Sequence, residues 1–457
     1  MSNPNPRYSI VGGGLAGALM ATMLGQDGHK VDVYEKRPDP RAAGADAGRS
    51  INLALSERGI SGLRDAGLER RILDIAIPMY GREIHSEAGE LSFQPYGVKD
   101  TDAINSVSRA ELNRVLLQAA DDTANVTLHF NSPCLDVDPV GGVLTVANPD
   151  GPAGSVRTIR DSVIIGADGA FSAVRSRMQL MNRFDYSQTF LATGYKELHI
   201  PPGPSDTAGS GDSRWRIKKN ALHIWPRGDY MMIALPNLDG SFTVTLFWPF
   251  EGPHSFDAVQ TDEQVRDFFA AHFADSLPHM PDLVETYQAN PTSSLVTVRC
   301  GPWVIGDKVA LIGDAAHAVV PFYGQGINCG FEDCRVLRAC LKEHAGDRAA
   351  AFAAYYAVRK RNTDALADMC IENFIEMRDH TASPVFRVRK RIEKTLAGFF
   401  PEAFRTQYHL VSFTNVPYAE ARQRGRRQQQ LIELIGRGAV LIALLALLAI
   451  VATIVGG

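Results

Sequence analysis

A chain of 457 residues is too long for one ordinary hydrophobic core, so two or more domains are expected. Hydrophobic residues make up 45% and charged residues 21%, as in globular proteins, and a net charge of -4 argues against a nucleic-acid binder. The six cysteines, Cys134, Cys300, Cys329, Cys334, Cys340 and Cys370, form no C-x-x-C pair and have no histidine cluster at zinc spacing, so reduced thiols and no metal are expected.

The first apolar run, Tyr8 to Val11, reads as a strand that enters a glycine loop at once, with no signal peptide ahead of it. Leu15 to Leu24 reads as a helix, and Val31 to Tyr34 as a second strand ending at Glu35. Within this β-α-β unit, G-G-G-L-A-G fits G-x-G-x-x-G through Gly12, Gly14 and Gly17, with Ala16 inside the motif. The first glycine permits a tight turn, the second a close approach to a pyrophosphate, and the third the packing of helix on strand. Glu35 stands where a carboxylate accepts bonds from ribose hydroxyls. The order predicts an adenine dinucleotide site and leaves FAD and NAD equally open.

Helical spacing covers 110–120, and Val126–Phe130, Val143–Ala147 and Val156–Ile165 read as strands. The last delivers G-A-D-G-A-F-S-A-V-R, Gly166 to Arg175, in which Asp168-Gly169 form a turn; a plain turn capped by Ser172 is the bland alternative. Pro201 to Ser213 reads as a loop. Runs at 221–225, 230–235 and 242–247, joined by turns, predict an antiparallel sheet. Val309 to Ile312 is a further strand, followed by G-D-A-A-H-A-V-V-P-F-Y-G-Q-G-I-N, Gly313 to Asn328. There Asp314 is placed for a ribitol hydroxyl, and Gly324-Gln325-Gly326 lets backbone amides approach a ligand at the start of a helix near Ile327. Three glycine motifs, each after an apolar strand, weigh against a purely structural reading. Residues 331–377 are helical in pattern. Ala439 to Val455 is an uncharged apolar run of about 25 Å as a helix, preceded by Arg422, Arg424, Arg426, Arg427 and Arg437. It predicts a transmembrane anchor over 438–456 that contacts the lipid bilayer and holds the body in the cytosol.

The three motifs together resemble the single-component FAD aromatic hydroxylase family over the first ~340 residues. The resemblance implies a para-hydroxybenzoate hydroxylase-like α/β fold: a Rossmann-like FAD-binding domain over 1–76, 106–180 and 290–345, and an inserted antiparallel β-sheet substrate domain over 77–105 and 181–289. A C-terminal helical region, 346–430, completes the substrate site. It also implies resident FAD, transient NADPH or NADH, and O2, with the flavin doing the chemistry and only His317 and Gln325 as candidate polar support. A tighter resemblance, to the kynurenine 3-monooxygenase family, rests on R-S-I-N-L-A-L-S (Arg49 to Ser56), S-V-S-R (Ser106 to Arg109), L-H-I-W-P-R (Leu222 to Arg227), M-I-A-L-P-N (Met232 to Asn237) and E-N-F-I-E-M-R (Glu372 to Arg378). It implies L-kynurenine as substrate, hydroxylated at ring carbon 3.

By this resemblance Arg82 binds the substrate carboxylate and Tyr96, Asn373 and Tyr408 add contacts, while Leu222, Met231, Ile233, Leu235 and Phe247, at strand spacing, line the ring pocket. Tyr34, Glu35, Lys36, Arg37 and Ala54 lie near the adenosine part. Arg109 and the backbone at Cys134 add FAD contacts, and Gly326, Ile327 and Asn328 meet the flavin ring. The family pattern has methionine in some members where Ile327 stands, a volume-conserving change. Two other readings stay open: a flavin hydroxylase or epoxidase of another aromatic or lipophilic compound, and a membrane-tethered flavoprotein redox sensor. The membrane would be the cytoplasmic one in a bacterium, or by resemblance the outer mitochondrial membrane in a eukaryote.

Overall fold

A computed structural model describes residues 6–42, 52–97, 101–204, 214–375 and 405–434. Its first body is a six-stranded sheet in the order Val304–Ile305, Val309–Leu311, Ser162–Gly166, Arg7–Val11, Lys30–Tyr34 and Val126–His129. All pairs are parallel except the edge pair Val304–Ile305 with Val309–Leu311. The strands read as continuous apolar runs because both faces are covered. Leu15–Gln26 has nine buried residues of twelve, lying between this sheet and the helices Arg109–Asp121 and Gly326–Glu343. A helix covered on more than one side is apolar all round.

The single run read over Val156–Ile165 is two strands in different sheets. Val156–Ile159 pairs with Val143–Ala147, whereas Ser162–Gly166 joins the parallel sheet. The chain turns between them at Asp161, whose φ is +56°. The polar break Arg160-Asp161-Ser162 marks the turn in the sequence, and Asp is a residue type that tolerates the left-handed region.

The second body is a seven-stranded sheet in the order Ser293–Gly301, Asp185–Ile200, Phe242–Pro249, Tyr230–Pro236, Leu222–Arg227, Gly81–His85 and Leu91–Pro95. It is antiparallel except where Leu222–Arg227 runs parallel to Gly81–His85. Alternation divides its faces. Met232, Ala234, Val244, Leu246 and Trp248 enter a core with the helices Asp262–His272 and Leu283–Ala289. Met231, Ile233 and Phe247 point the other way. Ser293–Gly301 belongs to this sheet, so the first part of 290–345 lies with the substrate body. A small sheet, Asn52–Leu55 with Ile104–Ser108 and Ile77–Met79, stands between the bodies. Asn52 clips it to the large sheet, its amide donating to Pro236 O at 3.0 Å and Asn237 Oδ1 at 2.7 Å.

Helices Gly326–Glu343 and Arg348–Ile375 pack together, and the chain returns through the short helix Gln407–Ser412 and helical residues 418–434. The expected transmembrane helix is not borne out. Among the described residues no helix is long and apolar enough to cross a membrane. The longest, Arg348–Ile375, carries charged residues along its length, and the uncharged Leu15–Gln26 has only twelve residues. The run 438–456 lies outside the described residues, so no described helix corresponds to the anchor.

Candidate active site

The three glycine motifs meet. Gly12 has φ +104°, and a Cβ there would lie 2.5 Å from Ala167 O, so the first loop presses on the Asp168 turn. At Gly17 a Cβ would lie 2.0 Å from Gly12 O. Ala16 Cβ would stand 3.3 Å from a Cβ at Gly313, which brings the first helix against the third motif. Ala54 Cβ would stand 3.2 Å from one at Gly324. Between these contacts, a Cβ at Gly14, Gly169 or Gly326 would meet nothing within 4 Å. Backbone lies open at three convergent turns, which suits a dinucleotide.

The acidic residues are placed differently from one another. Glu35 is buried; it accepts from Gly13 N at 2.8 Å and from Arg37 Nε at 2.8 Å. Burial works against its charge, but Arg37 and the Gly13 amide hold its pKa below the ordinary value. Lys36 and Arg37 are exposed beside it. Tyr34 turns its ring into the core, stacked on His129 at 4.8 Å, and only its carbonyl meets the loop, accepting from Gly12 N at 2.8 Å. Asp168 accepts from Ser172 Oγ at 2.5 Å and Ala173 N at 2.7 Å, so its carboxylate caps the helix Ala173–Met178 and the turn amide of Gly169 is what stays open. Asp314 is solvent-accessible, yet desolvation by surrounding protein raises its pKa against the pull of His317 and Arg109. Arg109 is exposed at the start of its helix, and Cys134, partly buried, opens the strand Cys134–Asp138. These features fit an FAD.

The floor of the third motif is a buried ion cluster. His317 Nε2 and Asp333 Oδ2 are 2.6 Å apart, and Gly313 N donates to the same oxygen at 2.9 Å. Burial alone would lower the His317 pKa; the Asp333 charge overrides it and lifts it to about 10, so the ring is an imidazolium. Arg359 donates to Asp333 Oδ1 at 2.7 Å and to Cys329 Sγ at 3.0 Å, and also pairs with Glu332. His317, Cys329 and Asp333 have ligand atoms within 4.8 Å of one another. His317, however, turns opposite nitrogens to the other two, and the Arg359 guanidinium bonds both of them. That arrangement is an ion-paired network and a poor cation site. Asn328 is equally committed: Oδ1 accepts from Ser56 N at 2.9 Å, and Nδ2 donates to Ala54 O and Gly324 O at 2.8 Å each. It shapes the loop, while Ile327 and Gly326 beside it are partly exposed. Gln325 is buried under the same loop.

On the substrate side, strand register places Arg82 opposite Leu222, and Met231 opposite Phe247. Leu222, Ile233 and Leu235 cluster with Tyr96, Tyr408 and Ala54. Met231, Ile233 and Phe247 cluster with Phe322, Tyr323 and again Tyr408. The Arg82 guanidinium lies 4.5 Å from the Tyr408 ring centroid and 5.5 Å from that of Tyr96. Among the described residues, Arg82 Nε and Tyr96 Oη are buried without a hydrogen-bond partner. An orphaned donor pair of this kind costs stability unless a ligand satisfies it. Asn373 donates to Phe322 O at 2.8 Å and Phe374 stacks on Phe322 at 4.5 Å, so the end of the long helix holds the turn Pro321–Tyr323.

Residues 8–368 match the family described as FAD binding domain. The chain is 46% identical over 430 residues to a kynurenine 3-monooxygenase of Myxococcus xanthus, spanning 94% of this chain and 90% of that one. It is 45% identical to that of Dictyostelium discoideum, spanning 95% and 94%. The chain belongs to the kynurenine 3-monooxygenase family. Its members are FAD-dependent monooxygenases, and the converging glycine turns fit that cofactor. The fold agrees: 2-methyl-3-hydroxypyridine-5-carboxylic acid oxygenase superposes with a TM-score of 0.65 at 22% identity, over 84% of this chain and 95% of that one. PqsL of Pseudomonas aeruginosa, in complex with 2-aminobenzoylacetate, gives 0.64 at 21%, over 82% and 97%.

Arg58, Glu332, Asp333, Arg359 and Tyr418, which hold this family's third motif in place here, carried no signal in the sequence. Each is an ordinary charged or aromatic residue whose partner is remote in the chain, as Arg58 is from Glu332.

Proposed function

We propose that the protein hydroxylates L-kynurenine to 3-hydroxykynurenine. NAD(P)H supplies two electrons, one oxygen atom of O2 enters the ring, and the other leaves as water. The observation that carries the substrate is the buried, unpartnered donor pair of Arg82 and Tyr96 beside an apolar sheet face. L-kynurenine has the matching halves: an α-carboxylate and an anilinic ring. The guanidinium fork suits the carboxylate in charge and shape. Leu222, Met231, Ile233 and Phe247 offer the ring a surface that excludes water.

FAD, when bound and reduced, supplies the activation of O2. The chain supplies the rest. The open backbone at Gly14 and Gly169 would hold the cofactor's phosphates and ribityl chain, and Gly326 and Ile327 begin a helix whose positive end would favour negative charge on a reduced ring. His317, paired with Asp333, braces the third motif from beneath the loop. Tyr408 and Arg82 fix one end of the substrate, and the ring carbon ortho to the amine, made electron-rich by it, is the one presented.

NAD(P)H oxidation measured with and without L-kynurenine, paired with detection of 3-hydroxykynurenine, tests the proposal. Oxidation that ignores kynurenine, or one that proceeds without the hydroxylated product, rejects it.

A further inference from the structure

Gln325 sits in the flavin-side loop, yet its side chain faces away from the open backbone at Gly326, and its carbonyl oxygen is held from the far end of the chain. The Tyr418 hydroxyl donates to Gln325 Oε1 at 3.0 Å, and both residues are buried. The Gln325 amide reaches Ser56 Oγ at 3.4 Å. Tyr418 is held in turn by Arg58, whose guanidinium lies 4.0 Å over the ring and is itself fully buried. Arg58 donates to Val416 O at 2.6 Å and to Glu332 Oε1 at 2.6 Å. Glu332 is shared with Arg359, which bonds Asp333, which accepts from Gly313 N. One buried network therefore touches the Gly313 turn, the Gly324–Gly326 loop and the returning segment 405–434. That segment also brings Tyr408 over Arg82, so it carries a substrate-side residue and a flavin-loop residue on one short stretch of chain.

We propose that Tyr418 is a positioning residue, coupling the seating of segment 405–434 at Arg82 to the shape of the flavin-side loop through its bond to Gln325. The inference rests on the kynurenine hydroxylase reading for its consequence, but the coupling itself is a property of the chain. Substrate that draws Arg82 and Tyr408 together fixes the segment, and the segment fixes Gln325. Loss of the link lets the loop relax while the substrate stays bound, and electrons from NAD(P)H then leave as H2O2, two per O2, without hydroxylation.

Tyr418→Phe removes the hydroxyl and keeps the ring under Arg58. Hydrogen-exchange mass spectrometry of the FAD-loaded variant without substrate is expected to show exchange over 321–330 faster by roughly 3- to 10-fold, the reach of one buried hydrogen bond. Linkage is reciprocal, so Gln325→Ala is expected to speed exchange over 414–421. Product formed per NAD(P)H is expected to fall several-fold in Tyr418→Phe, with the kynurenine Kd, read from flavin absorbance, within about 2-fold of the parent. Unchanged exchange in both segments overturns the proposal. So does faster exchange with wild-type coupling, which reduces Tyr418 to a packing residue. If Tyr418→Phe does not fold, the Gln325→Ala exchange over 414–421 decides alone. A parent protein that does not respond to kynurenine rejects the functional reading and leaves both exchange measurements valid.

Discussion

Arg82 and Tyr408 come from opposite ends of the chain and meet with the guanidinium 4.5 Å from the ring centroid. Tyr96 lies beside Tyr408, the two rings stacked 5.8 Å apart. The cation thus rests against a pair of stacked aromatic rings, and its Nε is left for a ligand. An arginine in this setting keeps its charge even though burial opposes it, because the two tyrosines favour the cation and raise its pKa.

Arg82→Ala is expected to raise the kynurenine KM by roughly 10- to 100-fold, the range of a lost charge-assisted hydrogen bond of about 1.5–3 kcal/mol. Arg82→Lys should recover only part, since an ammonium lacks the fork. FAD content should not change in either. Steady-state kinetics on FAD-loaded protein checks this, and an unaltered KM in Arg82→Ala removes the residue from the site.

The glycine motifs were legible because each is local: a strand, a turn and a helix start within one short window. The sheet face was legible from alternation, which by itself puts Met231, Ile233 and Leu235 on one side of their strand. What escaped was non-local. Asp185–Ile200, the longest strand, carries a Thr-Gly-Tyr-Lys-Glu stretch with no apolar rhythm, and its pairing with both Phe242–Pro249 and Ser293–Gly301 is what holds it extended. The commitment of Asn328 to the backbone of Ser56 and Ala54 was hidden for the same reason, since those partners are set by the fold. The terminal apolar run had the composition of an anchor, but composition alone does not place a helix in a membrane.

Gly14 and Gly17 separate cofactor binding from folding. A Cβ at Gly17 would stand 2.0 Å from Gly12 O, so Gly17→Ala must push the helix Leu15–Gln26 off its strand. A Cβ at Gly14 meets nothing within 4 Å, and its φ of -73° suits alanine. Gly17→Ala is expected to lower the melting temperature of the FAD-free protein, whereas Gly14→Ala leaves it unchanged and weakens FAD binding about 10-fold or more through the methyl in the cofactor's space. Differential scanning fluorimetry without FAD, and FAD titration by fluorescence quenching, distinguish the two. Tight FAD binding by Gly14→Ala would contradict the placement of the cofactor.

His317 sets a pH dependence of stability. Its pKa in the folded protein is about 10, against 6.5 for an ordinary histidine. The folded state therefore binds more protons than the unfolded state between these values, and stability falls as pH rises through that window. The His317 contribution is complete below pH 6.5 and gone above 10. Urea unfolding between about pH 6.5 and 7.5, below most of the ionisation of unfolded thiols, should show the slope in the parent and a flatter one in His317→Asn. Equal slopes would mean that the ring is not protonated in the fold.

Arg359 and Arg64 contrast buried and exposed ion pairs. Arg359 is buried between Glu332 and Asp333, whereas Arg64 pairs with Glu57 and Glu69 on the surface with its side chain 49% exposed. Removing Arg359 takes one of two buried cations from each of two interior carboxylates, leaving Asp333 with His317 and Glu332 with Arg58, a loss of up to about 3–5 kcal/mol. Removing Arg64 costs under about 1 kcal/mol, since water and salt already screen the pair. Arg359→Met should accordingly shift the urea midpoint far more than Arg64→Met. Adding Glu332→Gln to Arg359→Met should cost less than the sum of the two, because the carboxylate that lost part of its compensation is then neutral, and the two changes, being in contact, should not add. Additive losses in the double variant would show that Arg359 and Glu332 do not share the network assigned to them.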